Sequence, residues 1–147
     1  MVDLPDVMYV LAGARARQMR MRSWIDFHER LTGGLPKHMY QHVFRLIAAH
    51  PFHKDVVSGL ERFVVAPATL KRRTDRLSPE ESERLARVAR LLAMATKVFD
   101  DPEDTARFLT RAHPLLGQKS PFELLKTDVG LRQVEDVLAR ILYGLPV

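Results

Sequence analysis

Proline occurs at five positions where a helix can begin, and this spacing constrains the fold more than any other feature. The five residues are Pro36, Pro67, Pro79, Pro102 and Pro121. Proline is tolerated at the first helical position because its missing N–H group has no partner to lose there. Each of the five therefore predicts the start of a separate helix.

Three of these helix starts also carry a side-chain cap. Ser78 precedes Pro79 and lies three residues before Glu81, so its hydroxyl can accept from a free amide while the carboxylate reaches back to the cap. The same arrangement recurs at Ser120–Glu123, and a carboxylate variant occurs at Asp101–Asp104. These segments predict helix boundaries from local chemistry alone.

The apolar spacing is helical along most of the chain, and no segment alternates as a strand does. After Ser78 it predicts a central helix buried on two sides, with apolar residues Leu85, Val88, Ala89, Leu91, Leu92, Met94, Ala95, Val98 and Phe99. A final helix is predicted from about Gly130 to Tyr143, ended by Gly144. The sequence therefore predicts an all-α fold with a short apolar tail, Leu145, Pro146 and Val147.

The composition excludes several classes of protein. The chain has 147 residues, 46% of them hydrophobic, which is enough to bury a core. It contains no Cys, so a disulfide framework, a thiolate metal site and a cysteine nucleophile are all excluded. The short apolar run that follows Asp3 and Asp6 has the wrong charge order for a secretory signal, and no run approaches the length of a membrane helix. We expect a cytoplasmic protein with no membrane partner.

Positive charge is concentrated in the first half of the chain. Residues 1–77 contain 13 Lys and Arg against 7 Asp and Glu, whereas residues 78–147 contain 10 against 11. Such a surplus attracts a polyanion by releasing condensed counterions. The residues Arg15, Arg17, Arg20 and Arg22 are interpreted as part of a solvated or disordered leader, with a nucleic-acid-binding arm as the alternative.

The pattern divides the chain into three parts. Residues 1–33 are predicted to be an N-terminal leader, which can be partly helical. Residues 34–77 are predicted to be a helix-turn-helix unit with helices near 36–49, 52–62 and 67–74, and residues 78–147 a second helical unit. In the third of these helices Leu70 points inward, and the candidate DNA-binding residues are Thr69, Lys71, Arg72, Arg73 and Arg76. A solvated basic surface helix fits the periodicity equally well.

Enzyme functions find little support in the sequence. His38 and His42 have helical spacing, and His50 lies close to His53, but the Glu of a zinc-protease motif is missing. Gly33 and Gly34 do not follow a strand, so they are interpreted as turn residues rather than a phosphate-binding loop. We expect no catalytic residue, metal or cofactor, and a small metal-dependent hydrolase is kept only as a third alternative.

Several motifs together resemble a known family. They are Ser-Pro-Glu-Glu-Ser at 78–82, the turn with Gly117 and Pro121, and the closing set Leu124, Leu125, Thr127, Gly130, Val134, Leu138, Ile141, Tyr143 and Gly144. With Gly34–Pro36 and Thr69–Arg73 upstream, the chain resembles the Xre/ParS-type antitoxins, whose C-terminal part binds a toxin. It departs from the family pattern at Phe108 (usually Trp), Gln118 (often Gly) and Ala66 (often a capping Ser).

The resemblance implies a specific function. Such antitoxins are typically encoded beside a RES-domain toxin that consumes NAD, cover the entrance to its active site, form homodimers, and repress their own promoter. A symmetric dimer would present two recognition helices, so we expect the operator to be an inverted repeat. The residues that the resemblance places at the toxin are Arg140, Tyr143, Gly144, Leu145, Pro146 and Val147. The alternative function is a stand-alone helix-turn-helix transcriptional repressor whose C-terminal half only dimerises.

Overall fold

The computed structural model describes residues 2–147, and eight α-helices form within this range. Their bounds are α1 Leu4–Ala12, α2 Trp24–Gly33, α3 Lys37–Ala48, α4 Lys54–Val64, α5 Pro67–Arg72, α6 Pro79–Phe99, α7 Pro102–Thr110 and α8 Asp128–Leu142. Three short 3₁₀ segments are Gly13–Met19, Pro114–Leu116 and Phe122–Lys126. No strand occurs in the described residues apart from isolated bridges at Pro36–Arg76 and His113–Lys119. The predicted all-α fold is confirmed.

The central helix is α6, and its boundaries agree with the sequence chemistry. Ser78 Oγ accepts from the Glu81 amide at 3.1 Å, and Glu81 Oε1 accepts from the Ser78 amide at 2.8 Å, which completes the predicted capping box. The helix ends at Asp100, which adopts a left-handed conformation. It packs against α1, α2, α4, α7 and α8, so it is buried on more than one side as predicted.

The first helix belongs to the core, although the sequence predicted only a leader that can be partly helical in this segment. Leu4, Val7, Met8 and Leu11 are buried, and α1 packs against both α3 and α6. Their spacing of three and four residues is that of an amphipathic helix, which nine residues suffice to form when two other helices cover its apolar face. The two halves of the chain therefore share one hydrophobic core rather than forming two separate ones.

Backbone hydrogen bonds join the start of α3 to the segment between α5 and α6. The Lys37 amide donates to the Asp75 carbonyl at 2.8 Å, and the Leu77 amide donates to the Leu35 carbonyl at 2.9 Å. The Leu35 amide in turn donates to the buried Ser82 hydroxyl at 2.7 Å. These contacts fix the position of α5 relative to α6, although residues 35 and 77 are far apart in sequence.

Some helix boundaries differ from the sequence prediction. Pro36 is the residue before α3 rather than its first residue, and Pro121 is the residue before a 3₁₀ segment rather than the start of an α-helix. The last helix begins at Asp128 instead of Gly130, because Thr127 Oγ1 accepts from the Gly130 amide at 2.9 Å and caps the helix. A threonine before the first turn was therefore the missed signal.

Candidate functional site

A two-residue turn joins α4 to the basic helix α5, and apolar side chains hold both helices on the core. Val64 and Val65 are buried, and Leu70 packs against the core as predicted. Ala66 precedes Pro67 and offers no side-chain cap, as its departure from the family pattern indicates. This arrangement leaves one side of α5 in solvent, which is how helix-turn-helix proteins present a helix to the major groove.

Four of the five predicted DNA-binding side chains are partly or fully exposed, on α5 or in the segment that follows it. Lys71 and Arg72 are exposed, and Arg72 donates to the Thr69 hydroxyl at 3.4 Å. Arg76 is also exposed, although its guanidinium donates to the Gly34 carbonyl at 3.3 Å. Lys71 and Arg72 are consequently the two cations of α5 best placed for a polyanion.

The fifth predicted residue, Arg73, points toward the protein instead. Its Nε donates to Glu81 Oε1 at 3.1 Å and its Nη2 donates to Glu81 Oε2 at 3.0 Å. The Glu81 side chain is only 7% exposed, so the pair is shielded on the carboxylate side. Arg73 thus ties the end of α5 to the first turn of α6 and positions α5, a role that its place in a basic run did not indicate.

The pair also shifts the titration of both side chains. Burial opposes ionisation of Glu81, but hydrogen bonds from Arg73 and from the Ser78 amide outweigh it and hold the Glu81 pKa below its usual 4.5. The hydrogen bonds to Glu81 raise the pKa of Arg73 in turn. Both groups are therefore charged at neutral pH.

We expect Glu81→Gln to lower the free energy of unfolding by about 2 kcal/mol at neutral pH, because Arg73 loses its shielded partner. Since the folded-state pKa is depressed, this stabilisation is present above about pH 4.5 and is lost as the pH falls through the folded value. Urea unfolding at neutral and acid pH measures it. The control is Glu80→Gln at the exposed neighbouring residue. If Glu81→Gln lowered the free energy of unfolding as much at acid pH as at neutral pH, the assigned role of the Arg73–Glu81 pair would be contradicted.

The end of α8 is closed by two hydrogen bonds that fix the direction of the tail. The Gly144 amide donates to the Ile141 carbonyl at 3.2 Å, and the Leu145 amide donates to the Arg140 carbonyl at 2.8 Å. Gly144 has a φ of 67°, as a helix-terminating glycine requires, so its predicted role as the terminator of the last helix is confirmed. This pattern is a Schellman motif, and it turns the last residues away from the helix axis.

The residues at this end form an exposed apolar surface, which we term the C-terminal patch. It consists of Leu142, Tyr143, Leu145, Pro146 and Val147. Tyr143 is 64% exposed and Leu145 is 54% exposed, whereas Val134 and Leu138 on the same helix are buried in the core. Contiguous exposed apolar side chains often mark a surface that binds a partner, whereas single ones are common on any protein.

Arg140 borders the C-terminal patch. Its Nε donates to Asp136 Oδ2 at 3.2 Å, one turn earlier on α8, and both side chains are about half exposed. An exposed pair of this kind contributes little to stability. The geometry therefore leaves the guanidinium at the edge of the patch, where a partner can reach it.

An apolar groove lies between α2, α6 and α8, where no surface of interest was expected. The groove has a volume of about 520 Å³ and is lined in part by Trp24, Phe27, Leu31, Arg87 and Arg90. Trp24 is 47% exposed at its edge. The sequence does not predict this groove, because its pattern assigns the residues of α2 to the leader.

The histidines considered as metal ligands do not converge. His42 Nδ1 lies 2.8 Å from the Val10 carbonyl, and His50 Nδ1 lies 2.9 Å from the Leu46 carbonyl on α3. His38 is exposed on α3, and His53 is exposed at the residue before α4. Across residues 2–147, no three His, Cys, Asp or Glu side chains form a group that could hold a metal ion. No helix in that range has both the length and the apolarity to cross a bilayer.

Two segments of the chain match known protein families. Residues 94–144 match the antitoxin Xre/MbcA/ParS C-terminal toxin-binding domain, and residues 59–90 match the antitoxin Xre-like helix-turn-helix domain. Both matched segments are thus similar to domains of Xre/MbcA/ParS antitoxins. Together the two matches include the α4–α5 turn, most of α6, and all of α7 and α8.

Two curated proteins are similar to part of this chain. One is the antitoxin Xre of Pseudomonas putida, which is 35% identical over 95 residues, or 62% of this chain and 60% of that protein. Another is the antitoxin Xre of Yersinia enterocolitica, which is 36% identical over 78 residues, or 51% of this chain and 53% of that protein. The chain spans between half and two thirds of the length of these relatives.

The two matched segments can be compared with the structural features described above. Arg73 and Glu81 both lie within the helix-turn-helix match, which crosses the predicted division at 77–78 and continues into α6. The division into units 34–77 and 78–147 stays a prediction. Residues 1–58 lie outside both matches.

Proposed function

We propose that this chain is an antitoxin that binds its toxin through the C-terminal patch and binds double-stranded DNA through α5. One observation carries the toxin part of the proposal. The helix that closes the toxin-binding match, α8, ends directly in the exposed C-terminal patch. Such a surface has little reason to remain apolar unless a partner covers it.

The toxin that we infer is a RES-domain enzyme that consumes NAD, as the family resemblance implies. In the proposal the C-terminal patch covers the entrance to its active site, so the antitoxin inhibits by occlusion and performs no chemistry. The Schellman motif supports this mechanism because it holds the tail in one direction and reduces the entropy lost on binding. Tyr143 and Arg140 are side chains of the types that dominate interface energies.

Co-expression with the product of the adjacent reading frame tests this function. We expect the toxin alone to arrest growth and deplete cellular NAD, and the antitoxin to restore both. The purified complex should contain both chains when its mass is measured. Arrest that persists despite expression of both chains would overturn the toxin part and, if DNA binding is intact, would favour the stand-alone repressor.

The DNA part of the proposal is autorepression by a homodimer. Two copies related by twofold symmetry present two α5 helices, which fit half-sites about 34 Å apart or a multiple of that distance. The target is therefore an inverted repeat in the operator of the antitoxin's own operon. In this proposal the protein acts in the cytoplasm, where that operon is transcribed.

Replacing Lys71 and Arg72 together with Ala should weaken binding to operator DNA about 10- to 100-fold, because both lie exposed on α5. The slope of log affinity against log salt should fall by up to about 1.8, or about 0.9 for each phosphate that is no longer neutralised. Fluorescence polarisation with a labelled operator duplex measures both values. Arg73 is left intact because its loss would break the pair with Glu81.

The matched control for this variant is Arg111→Ala with Lys119→Ala, which removes the same charge from exposed sites in the C-terminal half. We expect the control to bind DNA nearly as the wild type does, and both variants to neutralise the toxin. Equal losses of DNA affinity in the two variants would indicate a nonspecific charge effect and would count against α5 as the DNA-reading helix.

A further inference from the structure

A second basic surface lies outside both family matches. Residues 13–22, which we term the arginine loop, contain Arg15, Arg17, Arg20 and Arg22 and no acidic residue. All four side chains are exposed, and none of them forms an ion pair with any residue from 2 to 147. No ion pair within the described residues therefore neutralises their charge, although Asp26 and Glu29 line a cleft together with Arg20 and Arg22.

The arginine loop is attached to the core rather than free. Ala16, Met19 and Met21 pack against the core and alternate with the arginines, so the guanidinium groups face outward from an anchored backbone. The loop starts at Gly13, where a Cβ atom would lie 2.7 Å from His42 Nε2 on α3. A loop held in this way loses less conformational entropy on binding than a disordered arm does.

The exposed face of α3 connects the arginine loop to α5. Lys37 Nζ on α3 donates to the Arg73 carbonyl at 2.9 Å, so α5 lies at one edge of this face, and His42 beside Gly13 marks the other edge. With 3.6 residues per turn, His38, Gln41 and Arg45 fall between these two edges, and all three are exposed and none is acidic. An exposed face without acidic residues, carrying the cation Arg45, thus connects α5 across α3 to the loop.

We infer that the arginine loop is a second DNA-binding element, which grips the phosphate backbone beside the groove that α5 enters. This inference rests on the proposed DNA-binding function and extends its contact surface. Arginine side chains form charge-assisted hydrogen bonds with phosphate oxygens, and such contacts add affinity and fix register without reading sequence. DNA is favoured over other polyanions because the surface is continuous with the helix-turn-helix.

The test uses the full chain with Arg15→Gln and Arg17→Gln, and fluorescence polarisation with two labelled duplexes. One duplex comes from the region upstream of the gene, and the other has the same length and a scrambled sequence. We expect the salt slope to fall by about 1.8, so the loss of affinity between about 50 and 200 mM salt becomes roughly tenfold smaller. Affinity should fall by the same factor for both duplexes, since phosphate contacts carry no sequence information.

The control Arg111→Gln with Lys119→Gln removes equal charge from the C-terminal half, and circular dichroism checks the fold of each variant. An unchanged slope in the loop variant, with a reduced slope after substitution of Lys71 and Arg72, would overturn this inference and leave the proposed function standing. Equal slope changes in loop variant and control would also overturn it. A wild-type chain that binds neither duplex would defeat both proposals.

Discussion

Removal of residues 143–147 should abolish toxin neutralisation while the fold and DNA binding persist. The helix α8 ends at Leu142, and its buried residues Val134 and Leu138 stay in place, so we expect a stability loss of only about 1 kcal/mol from removal of the cap. Binding should weaken by about 4 kcal/mol or more, roughly a thousandfold, because the deletion removes two or more side chains that we propose as interface anchors. Calorimetric titration with purified toxin and growth during co-expression measure the effect.

A pair of point variants separates the C-terminal patch from the rest of α8. Leu145→Asp places a charge in the patch and should weaken toxin binding by about 2 kcal/mol, or roughly 30-fold. Val129→Asp makes the same change in the first turn of α8, where Val129 is 70% exposed, and should bind as the wild type does. Full neutralisation by the truncated chain, or equal losses in both point variants, would place the toxin interface elsewhere.

Helix starts could be predicted from the sequence because their chemistry is local. The Ser78 hydroxyl and the Glu81 carboxylate are three residues apart, so the capping box around Pro79 depends on no distant contact. The same holds for Asp101, whose carboxylate accepts from the Asp104 amide at 2.9 Å. Threonine occurs in many structural contexts, so Thr127 alone did not indicate that α8 begins at Asp128.

The distinction between neighbouring arginines could not be predicted. Arg72 and Arg73 are chemically identical, yet Arg72 is exposed and Arg73 pairs with Glu81 on another helix. Which of them faces Glu81 is decided by the path of the chain between α5 and α6. The position of α1 in the core was missed for a similar reason, because the helices that cover it begin at Lys37 and Pro79, far along the chain.

Two adjacent glycines, Gly33 and Gly34, also could not be distinguished from the sequence. From the sequence, Gly33 and Gly34 are both interpreted as turn residues. Gly33 is the last residue of α2, and a Cβ atom there would have no neighbour within 4 Å. Gly34 has a φ of 86°, and a Cβ atom there would lie 2.3 Å from the Leu77 carbonyl oxygen. The two glycines are adjacent in sequence, and only the folded backbone shows that Gly33 has room for a side chain whereas Gly34 does not.

Gly34→Ala should therefore lower the free energy of unfolding by about 3 kcal/mol or more, through the strained φ and the clash with the Leu77 carbonyl. That carbonyl belongs to backbone, so relief of the clash would disturb the bond from the Leu77 amide to the Leu35 carbonyl. For a chain of this size the midpoint of thermal unfolding should fall by roughly 10 °C. Urea and thermal unfolding give the two values.

Gly33→Ala is the matched control, since it adds the same methyl group one residue earlier. It should leave stability unchanged or raise it by up to about 1 kcal/mol, because alanine loses less backbone entropy in a helix. Equal midpoints for the two variants would show that Gly34 tolerates a side chain and that the α3 start is not held against Leu77 as described. A selective loss at Gly34 would instead establish that the junction between α2, α3 and α6 depends on this close backbone approach, which also sets where α5 lies.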